Sequence, residues 1–309
     1  MNKSEITNII AFGTLREDIL LRYDFSVPLE KMEVKLDSYK SVIGGSVYNS
    51  CLFLSNYSKT IDITLLVPNC QMQLSTLFYE QYPNLHIIYN GSNMASHPLS
   101  IIGICKDGEK RIISCDNAAN SDGLLNIVSK YISNCQLLYT SFYEINKDNY
   151  IRIAHIFSEI NKTGKLVMLD LCPLLNTFSK HLITNILEFV SVLSGNELEY
   201  QALFNILKMK SAEAIFKKFK HINVLCIKQG EHGATILKRT TSNYKKPYEK
   251  YEHVIKEKIV AKNTVGCGDV FNAVIINGLI NNKSLRHILD EAVEESRKIA
   301  LGGLPWMQK

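Results

Sequence analysis

Short, mostly apolar runs recur along this chain: Ile6 to Phe12, Ile61 to Val67, Leu85 to Tyr89, Cys135 to Tyr139, Lys165 to Asp170 and Phe189 to Leu193. Runs of this length and character predict strands buried on both faces. Between them, Met72 to Tyr82, Gly123 to Ser133 and Lys147 to Ile160 place apolar residues at helical spacing. Strand and helix in alternation predict an α/β fold, a mostly parallel sheet with helices on each side. Further on, Val224 to Ile227 and Ala234 to Leu237 read as a strand and a returning strand around Gly230 and Gly233. Asn243 to Lys250 reads as a charged surface loop, and Val270 to Ile280 and Leu285 to Leu301 as two closing helices.

A second pattern interrupts the first. Lys31 to Asp37 alternates polar and apolar, and Leu99 to Ile104 is joined to Arg111 to Ser114 by Lys106-Asp107-Gly108-Glu109. Asp-Gly between apolar runs signals a hairpin. Strands with one wet face predict a small side sheet packed on the larger layer as a lid. Its segments are expected at approximately 14–42 and 92–118, within a single domain spanning 1–309. No repeat or low-complexity linker marks a second domain.

Composition narrows the class. With 309 residues and 46% apolar content, the chain can fill a sizeable core. The net charge of +5 is spread out apart from Lys245-Lys246, which fits small anionic substrates better than nucleic acid. The eight cysteines are scattered without C-x-x-C or zinc-ligand spacing, so neither disulfides nor structural zinc is expected. No apolar run is long enough to span a bilayer, and Met1 to Glu5 lacks the order of a signal peptide, so a cytoplasmic location is expected.

The chemistry concentrates at Asn263-Thr264-Val265-Gly266-Cys267-Gly268-Asp269, which opens onto a helix. Amides at such a turn, beside the positive end of a helix dipole, form an anion site. A carboxylate at its mouth suits a base that takes a proton from whatever attacks a bound phosphate. Taken alone, the stretch equally fits a turn capped by Asp. Other strand ends add candidates. Gly13 leads to Asp18, which by itself reads as a solvated loop residue, and Gly44-Gly45 leads into a helix carrying Asn49. Asp170 ends a strand. Asn196 and Glu199 have capping-box spacing, yet could also hold water around magnesium beside phosphates. Lys228 could meet a phosphate or face solvent, and His232 reads as exposed in its turn.

In their order along the chain these residues resemble the ribokinase-like, or PfkB, carbohydrate kinases. The resemblance rests on Gly13 with Asp18, Gly44-Gly45 with Asn49, Asp107-Gly108-Glu109, Asn196 to Glu199, Lys228 to Ala234, and Gly266 to Asp269. It implies a three-layer αβα fold with a β-sheet lid that in many members is also a dimer contact. It further implies ATP and Mg²⁺ as cofactors and a sugar or sugar-like acceptor, with a nucleoside as the nearest rival and Tyr23, Phe25 and Tyr48 as candidates to contact its base. A non-catalytic relative is the reading from another class. By resemblance Asp269 is the catalytic base, and the amides of Gly266, Cys267 and Gly268 are the anion hole. Asp18, Gly44, Gly45 and Asn49 bind the acceptor. Asn196, Glu199, Lys228, Gly230, Gly233 and Asp170 lie at the nucleotide, Glu199 acting on the metal through water.

Three positions depart from the family pattern. Cys267 replaces the usual small residue between the glycines. Asn263 stands where an Asp is common, removing a charge from the place where some members hold a monovalent cation. Arg16 lies between Gly13 and Asp18, where its charge would favour an acidic or phosphorylated acceptor, or point to solvent.

Overall fold

A computed structural model describes residues 7–22, 38–68, 76–90, 98–104, 110–115, 128, 131, 135–240, 248–257 and 259–303. Its strands are β1 (Thr7–Phe12), β2 (Arg16–Arg22), β3 (Ser38–Gly44), β4 (Ile61–Pro68), β5 (Leu85–Asn90), β6 (Leu99–Ile104), β7 (Lys110–Cys115), β8 (Leu137–Ser141), β9 (Leu166–Asp170), β10 (Val192–Asn196), β11 (Val224–Lys228), β12 (Gly233–Arg239) and β13 (Tyr248–Val254). The helices are α1 (Ser46–Tyr57), α2 (Thr76–Gln81), α3 (Tyr150–Lys162), α4 (Lys180–Leu187), α5 (Glu197–Leu207), α6 (Ala212–Lys218), α7 (Cys267–Ile280) and α8 (Leu285–Gly302).

The large sheet runs β5-β4-β1-β8-β9-β10-β11-β12-β13, parallel as far as β11 and antiparallel from there to the β13 edge. Its central strands, such as β8, β9 and β10, are mostly apolar and buried because both faces are covered. Ile9 and Ala11 of β1 pack into one core with α1, α7 and α8, while Ile10 and Phe12 pack into the other with α3 to α6. The parallel strands all end on the same side, where ligands gather in such sheets.

The small sheet runs β3-β2-β6-β7, with β2 and β6 parallel and the other pairs antiparallel. The hairpin predicted around Asp107-Gly108 is the β6–β7 pair, its tip lying outside the described residues. The face carrying Asp18, Leu20, Ser100 and Ile102 is buried. The opposite face leaves Tyr39 74% and Ile113 72% exposed.

Several elements differ from the sequence expectation. The strand expected at 189–193 forms at Val192–Asn196, because Phe189 and Val190 close the end of α4 by bonding the Ile186 and Leu187 carbonyls. Their apolarity serves the helix terminus. Tyr248 to Lys250 belong to β13 instead of a charged loop. Lys and Glu along an edge strand keep it from pairing with other chains, and that charge imitates coil in the sequence. Helices α4 and α6 went unpredicted. The strand at Lys31–Asp37, most of the helix at 123–133, Lys245-Lys246, Tyr23 and Phe25 lie outside the described residues. Among the described residues no helix is long and apolar enough to cross a membrane.

Candidate active site

The loop into α7 turns at Gly266, whose φ of 83° is left-handed and favours glycine. Asn263 Oδ1 accepts from the Val265 amide at 2.8 Å, so the residue at the head of the motif braces the turn. Gly266 offers no side-chain cap, and the amides of Gly266 and Gly268 take no partner among the described residues. The Cys267 amide reaches the Thr264 carbonyl at only 3.4 Å. Burial pushes the Cys267 thiol up to about 11, so it is a neutral lining group here.

Asp269 sits in the first turn of α7 but does not cap it. Its carboxylate is held from α1: Ser46 Oγ donates to Oδ1 at 2.7 Å and Asn49 Nδ2 donates to Oδ2 at 3.0 Å. Two helix N-termini thus meet on one acid. Burial raises the Asp269 pKa, and the two hydrogen bonds and the charge of Lys110 partly offset it. A carboxylate has about four acceptor positions, so two remain for a ligand.

Beside it lies a second acid, this one buried. Asp18 is only 4% exposed and belongs to β2, which corrects its reading as a loop residue. Among the described residues its Oδ1 has no partner, and neither has Asn49 Oδ1. Two orphaned acceptors in one region call for a ligand rich in hydroxyl donors. Burial raises Asp18 to about 6, against the opposing effects of Arg16 and a Ser100 hydrogen bond. Glycine is required around it, since a Cβ on Gly44 would collide with the Asp18 carboxylate and one on Gly45, at φ 119°, with the Thr14 carbonyl. Glu144 fixes that turn by accepting from Thr14 N at 3.0 Å and Thr14 Oγ1 at 2.6 Å. Arg16 donates to Ser100 Oγ at 3.0 Å, so its guanidinium lies along the small sheet.

On the other flank, β9, β10 and β11 end side by side with Ser194 opposite Asp170 and Asn196 opposite Lys228. Lys228 Nζ lies 2.8 Å from Asp170 Oδ1, with side chains 16% and 8% exposed, so Lys228 is turned toward Asp170 and away from bulk solvent, keeping only slight exposure. Burial opposes its charge, but Asp170 and Glu199 more than restore it and the pKa is raised. A methyl group on Gly268 would sit 3.5 Å from this ammonium, which therefore faces the α7 turn. Asn196 and Glu199 form a complete capping box on α5, each bond 2.8 Å. Gly230 and Gly233 take φ values of 56° and 106° in the β11–β12 turn, and His232 is exposed as expected.

Sequence reasoning missed Ser46, Ser50, Tyr139, Tyr143, Ser194, Asn272 and Lys110. Lys110, at the start of β7, acts electrostatically on Asp18, Glu199, Cys267 and Asp269, so the small sheet brings a cation to both halves of the site. Its place two residues after Asp107-Gly108 was the available signal. The remainder are ordinary core polar types whose partners lie far away in sequence.

Residues 8–296 match the family described as pfkB family carbohydrate kinase. The chain belongs to the PfkB family. That family makes it a phosphotransferase. No curated protein matches its sequence. Among solved structures it resembles a ribokinase from Giardia lamblia, with TM-score 0.76 and 15% identity over 99% of this chain and 94% of that one. It resembles Anopheles gambiae adenosine kinase, crystallised with P1,P4-di(adenosine-5) tetraphosphate, with TM-score 0.74 and 18% identity over 97% of each chain. Arabidopsis thaliana ribokinase, complexed with ribose and ATP, gives TM-score 0.68 and 17% identity over 97% of this chain and 95% of that one. At such identities these likenesses establish the ribokinase fold.

Proposed function

We propose that this PfkB protein is an ATP-dependent kinase that transfers the γ-phosphoryl group to a hydroxyl of a sugar or sugar-like small molecule. The observation that carries this reading is Asp269, a half-buried carboxylate clamped by Ser46 and Asn49 at the mouth of the α7 turn. A raised pKa makes it a better proton acceptor, and its free lone pairs can take the acceptor hydroxyl. Asp18 and Asn49 bind the other hydroxyls through their orphaned oxygens. The Gly266 and Gly268 amides, with Cys267 between them, receive the transferring phosphoryl group, and Lys228 adds positive charge beside them. Asp170, Asn196, Glu199 and the Gly230–Gly233 turn border the nucleotide.

Among the described residues no cluster of three or more His, Cys, Asp or Glu could hold a metal ion. Magnesium keeps several waters and relies on substrate phosphates, and Glu199 would reach it through water. When bound, the ion would neutralise charge on the phosphates. The small sheet acts as a lid whose closure excludes water, the competing phosphoryl acceptor. A nucleoside is the alternative acceptor because it offers the same ribose hydroxyls. Tyr48 does not serve it as a stacking face, being buried against Phe78 with ring centroids 6.4 Å apart. The deciding experiment is ATP consumption with Mg²⁺ across sugars, sugar phosphates and nucleosides. A sugar or sugar phosphate should turn over, and silence across the panel would favour a non-catalytic relative.

With the acceptor in hand, Asp18 supplies a pH signature. Protonation below about 6 removes an anionic hydroxyl acceptor, so the acceptor KM should rise as pH falls through that value. At one unit below the pKa the ionised fraction is about a tenth, giving a roughly tenfold rise. In Asp18→Asn the acceptor KM should be high and flat with pH while the ATP KM holds. A variant that keeps the parent value and slope removes Asp18 from the acceptor site.

We also assign the outer face of the lid to a second copy of this chain. Ile19, Ile101 and Ile113 stand in register across β2, β6 and β7, with Tyr39 exposed on the same face of β3. An apolar row of this kind is an interface signature. Light scattering should show a dimer that Ile113→Glu converts to a monomer; a monomeric parent at the same concentration overturns the assignment.

A further inference from the structure

Behind the site a line of polar groups crosses the core. Ser194, Tyr139 and Asn272 are fully buried and Ser50 is 1% exposed, so every hydrogen bond among them is desolvated. Ser194 Oγ donates to Asn272 Oδ1 at 2.6 Å, which fixes the amide orientation and turns Asn272 Nδ2 toward Tyr139 Oη at 3.3 Å. Tyr139 Oη and Ser50 Oγ are 3.1 Å apart. The single Ser50 hydrogen serves the backbone carbonyls of Asp269 at 3.0 Å and Ser46 at 3.1 Å, so Tyr139 must be the donor to Ser50. Burial holds the Tyr139 hydroxyl protonated, consistent with that direction. Each proton is used in one sense from β10 through α7 and β8 to α1, and the line ends on the backbone of Asp269.

We propose that Tyr139, acting through Ser50 and Asn272, is a positioning residue for Asp269. The proposal rests on the reading of Asp269 as the base. Ser46 and Asn49 hold the carboxylate, but both belong to α1, and Asp269 belongs to α7. What keeps the two helix N-termini in register is Ser50, which bonds the carbonyls of Ser46 and Asp269 together and is itself oriented by Tyr139 from the sheet below. Buried networks of this kind specify one arrangement because any break leaves unpaired groups with no water to satisfy them.

Tyr139→Phe keeps the ring and removes the link. We expect kcat to fall about tenfold, equivalent to about 1.4 kcal/mol of barrier, with the ATP KM within about twofold of the parent. The pH profile separates positioning from mere stability. A loosened hold by Ser46 and Asn49 raises the Asp269 pKa, so the acid limb of kcat should move to higher pH. The other groups facing Asp269 are Asp18 of β2, Lys110 of β7, Asp170 of β9, Lys228 of β11, Cys267 and Tyr143, and the substitution alters none of them. Ser50→Ala should reproduce the result, and the double variant should lose no more than the larger single loss. If Tyr139→Phe does not fold, Ser50→Ala decides. Parent kcat and an unmoved acid limb in the folded variants overturn the proposal, even with a lowered melting temperature. If instead Asp269→Asn itself turns over normally, the base assignment fails first, which a separate assay of that variant reveals.

Discussion

Asp269→Asn should lower kcat by about 10³-fold, the scale set by losing a positioned general base, while ATP still binds. The carboxamide has the shape of the carboxylate, and Ser46 can still donate to its oxygen. Asn49 Nδ2 would then face an amide nitrogen, but Asn49 Oδ1 has no partner among the described residues, and Asn49 can satisfy the new donor by turning its own amide over. The stability consequence has a definite sign. Burial raises the Asp269 pKa in the folded protein, so above its unfolded pKa the ionised form opposes folding, increasingly as pH rises toward the folded value. A neutral Asn removes that opposition, so the melting temperature at pH 7 should match or exceed the parent's. Steady-state rates with the acceptor found in the screen, beside thermal melts with and without ATP, check both halves. A variant that turns over at the parent rate rules out Asp269 as the base.

What could be read in the sequence depended on whether a residue's role is local. The αL turn at Gly266 and the αβ alternation follow from short-range rules, so the turn, the two-faced core and the side sheet could be anticipated. Asn196 and Glu199 illustrate a local signal that is complete in itself: their spacing predicts the capping box, and the structure contains it. Whether they also act on a metal is a separate matter that spacing cannot decide. Asp18 was harder to place, because its strand begins only three residues after Gly13 and owes its burial to pairing with β3 and β6. Lys228 similarly acquires its partner from a strand 58 positions earlier. Ser46, Ser50, Tyr139 and Asn272 left no trace at all. Each is a common residue type, even where it stands beside a motif as Ser46 and Asn272 do, and its meaning arises from contacts across 89 to 223 positions.

The other large effect should come from Lys228→Met. This ammonium is sandwiched between Asp170 and the α7 turn, with Glu199 also contributing to its raised pKa. Taking away one member of a buried pair leaves the other charged and unpaired, at a cost of about 3 kcal/mol at the lower end of the usual range. The lower end applies because Lys228 keeps some exposure. The melting temperature should fall by several degrees for a chain of this size. Nucleotide binding should weaken too, since the cation nearest the Gly268 backbone is gone and Asp170 is left to repel phosphates. A double variant separates the two effects. In Lys228→Met with Asp170→Leu no buried charge is stranded, and apolar replacement of a buried pair is often neutral for folding. Stability should therefore return toward the parent while ATP affinity and turnover stay low. Recovery of activity together with stability would mean that the pair serves only the fold, and a Lys228→Met protein with parent ATP affinity would place the phosphates elsewhere.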